Sequence, residues 1–309
     1  MATGISSKVN DWQIMVNPRV AGLVYGFIGV ACFALTLPAT RIAALEFNPL
    51  FVAFGRAIVA GLLAAVLLLV TRQPIPAKKH WLTIGWVSLG VVIGFPLLSS
   101  YAMKTLPASQ GAIVTGLIPL GTAMFGAYRA GQRLPWLFWI SAIIGSSAVV
   151  LYALASGGWQ IRWEHWILLL AVLITSISYT EGALLGHQIG SWQVICWTLV
   201  FSLPVLIVPV AWSLSEQGVP GLAASPQAWY AFAYLSVVSM FLAFFAWYRG
   251  LMLGGIPQVS QVQLLQPFMT IVFCATFMNE PLTLGLMLTA LFVVLCVAVG
   301  RYASAKRAR

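Results

Sequence analysis

Charge is what this chain lacks. It holds six acidic and 16 basic residues in 309, so charged side chains make up 7% of it against 61% hydrophobic. A soluble domain carries about 25% charged residues. A chain this poor in charge cannot cover itself with water-facing groups, so most of its surface must face lipid. The longest polar piece is the N-terminal arm, Met1 to Arg19, which is too short to be a soluble domain.

Cysteine is scarce too. Cys32, Cys196, Cys274 and Cys296 all lie inside apolar runs, with no pair at metal-ligand spacing and none in a loop suited to a structural disulfide. They read as small buried hydrophobes, and no metal or other cofactor is expected. No apolar run holds paired acids, a His cluster at helical spacing or a Ser with a base, so an enzyme is not expected. The net charge of +10 is spread singly or in short clusters between apolar runs. That is the pattern of membrane-topology signals, and nucleic acid is not an expected partner.

Long apolar runs are what the chain has in abundance. A spanning helix takes about 20 mostly apolar residues. Ten such runs are read, over 20–44, 49–71, 81–103, 107–128, 135–155, 164–186, 191–213, 227–250, 257–278 and 282–302. The first is long enough to span, which argues against a cleaved signal peptide. Connections are short, so consecutive helices are expected to be antiparallel neighbours. With the N-terminus inside, twelve of the 16 basic residues fall on the inside, leaving only Arg41, Arg56, Lys104 and Arg162 elsewhere. Both termini are therefore expected in the cytoplasm.

The chain also echoes itself. Pro119 is followed by an apolar run and Gly131-Gln132-Arg133-Leu134; Pro267 is followed by another and Asn279-Glu280-Pro281-Leu282, with 15 residues from proline to leucine in each. Five spans per half invert the second half relative to the first. The expected fold is an all-α integral membrane protein of ten transmembrane helices in two inverted five-helix repeats. The divisions are a cytoplasmic arm over 1–19, repeats over 20–155 and 156–302, and a basic tail over 303–309.

These two elements, with Pro49-Leu50-Phe51-Val52-Ala53-Phe54-Gly55-Arg56, resemble the drug/metabolite transporter superfamily and its EamA-type ten-helix exporters. The likeness runs from about residue 20 to 302, and the whole is similar to the bacterial aromatic amino-acid exporters of that group. The chain departs from strict repetition: Val293 stands where the first half has Gly145, and Pro107 to Pro119 is 12 residues where Pro257 to Pro267 is 10. The resemblance implies a bacterial inner-membrane protein. Its first, third, fourth, sixth, eighth and ninth helices would line a central cavity, with the fifth and tenth outside.

Polar groups in hydrocarbon need a partner or a wet cavity. Candidate substrate-binding residues on that ground are Thr36, Ser99, Tyr101, Gln110, Tyr179, Tyr248, Gln261 and Gln263, with Trp163 at the mouth of the sixth helix. Pro38, Pro119 and Pro267 are candidate hinges. Pro38 frees a carbonyl one turn earlier, either to be satisfied by a Thr hydroxyl or to flex in gating. Arg56 reads as a structural cation, paired with Glu46 or a backbone carbonyl. Most of the thirteen Trp read as interfacial anchors.

The expected activity is alternating-access export of small metabolites, foremost amino acids with aromatic or apolar side chains. The first helix has no central carboxylate, where small four-helix multidrug relatives keep theirs, so facilitated diffusion is expected. The alternative is a carrier of the same fold for a drug, purine or other metabolite, driven by proton antiport through Glu181, the one acid well inside a run. The expected partners are the bilayer and a small-molecule substrate, and a monomer holds both halves of the pathway.

Overall fold

A computed structural model of the protein describes residues 17–129, 131, 133, 135–156, 162–217, 224–254 and 259–307. All but the end of the expected N-terminal arm lies outside the described residues, as do Gln132 and Leu134 of the first turn element. Among the described residues every regular element is helical. Ten helical segments follow in order. They are α1 Pro18–Glu46, α2 Phe51–Val70, α3 Lys78–Met103, α4 Ala108–Arg129, α5 Trp136–Ser156, α6 Trp163–Ile189, α7 Ser191–Gln217, α8 Pro226–Gly254, α9 Gln266–Met278 and α10 Leu284–Arg307. A tight turn of helix, Ser260–Leu265, leads into α9.

Each apolar run holds one of these segments. Seven of them, α1 to α4 and α6 to α8, are long and apolar enough to cross a membrane. The other three carry shorter apolar stretches, Trp136–Gly145, Val262–Met278 and Leu284–Gly300. Local chemistry sets the boundaries. Ser225 accepts a hydrogen bond from Ala228 N (3.2 Å) and caps α8, with Pro226 behind it. Gly190, at φ +102°, breaks the chain between α6 and α7, a conformation closed to most residues. Leu62, Val66 and Leu69 of α2 and Val205 and Val208 of α7 point outward, which suits contact with lipid and not water.

Lipid supplies no hydrophobic drive between helices, so packing depends on close fit. Five pairs each join a helix before residue 156 to one after it: α1 with α8, α2 with α7, α3 with α6, α4 with α9 and α5 with α10, and α4 also packs closely on α6. All five run antiparallel. In the first, Gly22 meets Gly254 while Glu46 reaches Ser225. In α3–α6, Ser178 donates to Trp86 O while Thr105 bonds Glu164. Gly61 faces Leu203, Gly116 faces Pro267 and Gly145 faces Cys296 in the remaining three. The α1–α8 crossing brings backbone against backbone. A Cβ at Gly22 would lie 2.3 Å from Gly254 N, and one at Gly250 would lie 2.7 Å from Gly26 N. Helices α5 and α10 pack chiefly on each other, at the edge of the bundle.

Candidate functional site

Six of the helices lose α-regularity near the middle of the bundle. α1 breaks at Leu35, between Pro18–Ala34 and Thr36–Glu46. α4 breaks at Gly116 and Leu117, between Ala108–Thr115 and Ile118–Arg129. Wide π-type turns occupy Phe51–Gly55 in α2, Ser88–Gly94 in α3 and Tyr234–Leu242 in α8. The tight turn Ser260–Leu265 introduces α9. Irregular turns re-aim side chains and often mark functional positions.

Proline explains part of this. Pro38 cannot bond Ala34 O, and Thr270 of α9 donates to that carbonyl instead, at 2.8 Å. The freed carbonyl is thus satisfied by a Thr hydroxyl, and the hydroxyl comes from the other half of the chain. Pro267 likewise leaves Gln263 O without its usual partner, and Gln266 N takes it in a tight-turn bond.

A narrow cavity of about 30 Å³, room for about one water molecule, opens where these irregular turns meet. α1 gives it Phe33, Thr36 and Leu37; α2 gives Arg56; α3 gives Val91, Phe95 and Pro96. Ile118 of α4, Thr175 and Tyr179 of α6, Ser239, Met240 and Phe244 of α8 and Gln266 of α9 complete it. Three rings cluster on one wall: Phe33 stands 4.9 Å from Phe244, and Tyr179 stands 6.5 Å from Phe33 and 6.2 Å from Phe244, centroid to centroid. The hydroxyls of Thr36 and Ser239 bond each other at 2.8 Å. Among the described residues, no carboxylate lines the cavity.

Arg56 is the charge in this cavity. Its side chain is 1% exposed, yet its one hydrogen bond among the described residues is Nη1 to Thr40 Oγ1, at 3.3 Å. Among the described residues Nε has no partner and no carboxylate comes within ion-pair distance. Glu46, expected as its partner, lies at the end of α1 and accepts from Ser225 N (2.7 Å) and Oγ instead. Taking such a cation out of water costs several kcal/mol even after relaxation. One charge-assisted hydrogen bond returns about 1.5–3 kcal/mol. The protein alone leaves the guanidinium under-compensated.

Of the residues singled out from sequence, Thr36 and Tyr179 line the cavity. Pro38, Pro119 and Pro267 each fall within two residues of a lining side chain. Tyr248 is fully buried behind Phe244, its hydroxyl facing Gly182. Ser99 is buried and donates to Pro96 O at 3.2 Å. Gln263 is buried with Oε1 unpartnered, but neither it nor Gln110 is on the cavity wall. Tyr101 and Trp163 face outward, Trp163 being 58% exposed. The side chain of Gln261 is outside the described residues. Glu181 is ion-paired with Arg129, whose Nη2 donates to Oε2 at 3.1 Å, and neither lines the cavity. Sequence reasoning passed over Phe33, Phe244, Ser239 and the cavity-facing role of Arg56. A polar residue beside a proline was the signal that found Thr36, and a helix carrying other polar groups was the one that found Tyr179.

Among the described residues, four carboxylates tie the two halves of the chain at the ends of the bundle. At the end away from Pro18 and Arg307, Glu46 holds Ser225 and Glu164 accepts from Thr105 at 2.7 Å. At the same end Glu280 accepts from Ala108 N (2.9 Å) and Ser109 N (3.0 Å), at the positive end of α4, with Arg41 Nε 3.7 Å away. Arg41 also donates to Met103 O and Leu106 O. At the opposite end stands Glu181 with Arg129.

The sequence profile described as the EamA-like transporter family matches this chain twice, over residues 20–154 and 162–300. The uncharacterized transporter YdeK of Bacillus subtilis is 40% identical over 93% of this chain and 99% of its own length. The aromatic amino acid exporter YddG of Ancylobacter novellus is 22% identical over 69% of this chain and 71% of its own. An S-adenosylmethionine/S-adenosylhomocysteine transporter of Chlamydia muridarum is 25% identical over 58% of each. One solved crystal structure, 18% identical, superposes with a TM-score of 0.62 over 93% of this chain and 99% of that one, a likeness of fold alone. Two profile matches spanning nearly the whole chain, and a relative at 40% identity, decide the family. The chain belongs to the EamA-like transporter family.

Proposed function

We propose that this transporter exports small metabolites by alternating access, amino acids with aromatic or apolar side chains foremost, by facilitated diffusion. The observation that carries this reading is the cavity where seven helices from both halves meet, walled by Phe33, Tyr179 and Phe244 and edged by hydroxyls and Gln266. Rings suit an aromatic or apolar side chain. The polar edge suits the backbone groups of an amino acid. The distant likeness to an exporter of aromatic amino acids points the same way.

The proposed frame is ten spans in two inverted repeats, 20–155 and 156–302, in a bacterial inner membrane with both termini cytoplasmic. Two matches of one profile support the repeat. So does the pairing of helices, which maps onto itself when each helix of the first half is exchanged for its counterpart five places on. Rocking one half against the other would open the cavity to each side in turn, with Pro38, Pro119 and Pro267 as bending points. Glu181 is committed to Arg129 away from the cavity, which favours facilitated movement over proton antiport.

The test is counterflow of labelled phenylalanine or tryptophan in proteoliposomes without an imposed pH gradient. Saturable uptake blocked by unlabelled aromatic amino acids is expected. Uptake only under a pH gradient would overturn the mechanism. Uptake blocked only by purines or sulfonium compounds would overturn the cargo.

A further inference from the structure

We infer that Arg56 is the anchor for a carboxylate on the transported molecule, so that this cavity selects cargo by an anionic head and an apolar or aromatic body. The inference rests on the reading of this cavity as the cargo site, and adds to it the chemical group the cargo must carry. The guanidinium lies among cavity-lining side chains, 1% exposed, with one hydrogen bond and an unpartnered Nε. A guanidinium offers five N–H donors in a planar fork that matches the two oxygens of a carboxylate. A structural arginine this deep would be expected to have its carboxylate supplied by the protein, and among the described residues it has none. Buried ionisable groups facing a pathway mark the passage of a complementary charge.

The backbone agrees with the placement. The wide turn Phe51–Gly55 ends immediately before Arg56. Gly55 packs against Phe232 so closely that a Cβ there would lie 3.1 Å from that ring. The turn that aims Arg56 is thus held by α8, a helix of the other half. The remaining lining of rings and neutral polar groups accepts an ammonium group but does not demand one, whereas a cation without a carboxylate has nothing to pair with. Loss of the carboxylate should therefore matter more than loss of the amine.

Two consequences separate this role from a merely structural one. Phenylalanine and 3-phenylpropanoate should compete for counterflow, and phenylalaninamide should compete about 10- to 100-fold less well, the worth of a charge-assisted pair. The empty carrier must also reorient with its guanidinium unpaired, so exchange should outrun net efflux. Arg56→Gln should erase the preference for carboxylate over amide and narrow the gap between exchange and efflux, and Arg56→Lys should restore part of both.

The experiment is competition in proteoliposomes with these three compounds, alongside thermal stabilisation of the purified protein by each. Counterflow of phenylalanine with equal competition by the amide would overturn the role of Arg56 and leave the proposed function standing. Stabilisation by 3-phenylpropanoate but not by the amide, without phenylalanine transport, would overturn the amino-acid reading and leave Arg56 standing. If Arg56→Gln does not fold, the wild-type competition series alone still decides.

Discussion

Thr36 and Ser239 meet hydroxyl to hydroxyl at 2.8 Å, one from each half of the chain, on the wall of the cavity. The pair is worth about 1 kcal/mol at most to the fold. Ser239→Ala should shift the melting temperature little and raise the KM of counterflow about 5-fold, the equivalent of 1 kcal/mol; a thermal melt checks the first and a scintillation uptake series the second. Glu181 is a contrasting case. Its partner Arg129 is half exposed, and such pairs contribute about 0–1 kcal/mol. Glu181→Gln should leave counterflow intact and independent of a pH gradient. Loss of gradient-driven uptake with counterflow preserved would restore the antiport mechanism. At this scale the sequence was only partly legible. Thr36 could be found because it stands beside Pro38. The rotation of Gln110, Gln263 and Tyr248 could not, because a helix that is apolar all round gives no moment by which to tell its faces apart.

Elements carry the second kind of information. The seam of Gly22 and Gly26 against Gly250 and Gly254 leaves no room for a methyl group. Gly22→Ala would press on backbone atoms, which cannot swing aside. Gly85, by contrast, has nothing within 4 Å of an added Cβ. Gly85→Ala should hold or raise the melting temperature by helix propensity, worth about 1 kcal/mol, and Gly22→Ala should lower it and the yield of monodisperse protein. Thermal melts in detergent compare the two. Pro267→Ala returns a donor to α9 and should slow exchange more than it weakens binding; unchanged exchange rates in proteoliposomes would count against its part in bending. The existence of the helices was legible from runs of about 20 apolar residues. The wide turns were not, since Phe51–Gly55 reads as an ordinary apolar stretch and its geometry is imposed by Phe232 and other neighbours.

Across the whole molecule, the carboxylates define two ends. Among the described residues, Glu46, Glu164 and Glu280 join the halves at the end away from Pro18 and Arg307, and Glu181 does so at the other. Each tie is worth about 0.2–1 kcal/mol if it is as exposed as a surface pair. The double variant Glu46→Gln, Glu280→Gln should favour opening at the three-tie end. Maleimide labelling of a cysteine at Thr36 from that side should then accelerate about 2- to 20-fold. No change would remove these carboxylates from the gate. The two matches of one profile were legible here, because the 15-residue spacing recurs in both halves. The partners of Glu46 and Arg56 were not, since Ser225 and Thr40 are brought to them only by tertiary packing.

The irregular turns have a mechanical consequence. The break at Leu35 makes α1 compliant at its waist, between two regular stretches. The arm of α1 beyond its break, Thr36–Glu46, is 11 residues long, a lever of about 16 Å at 1.5 Å per residue. A tilt of about 10° at the waist swings the tip of such a lever by about 3 Å, as much as the length of a hydrogen bond. A bend too small to disturb any one turn of helix is therefore enough to part Glu46 from Ser225, so a slight flexure in the middle of α1 is magnified to a full bond length at its tip.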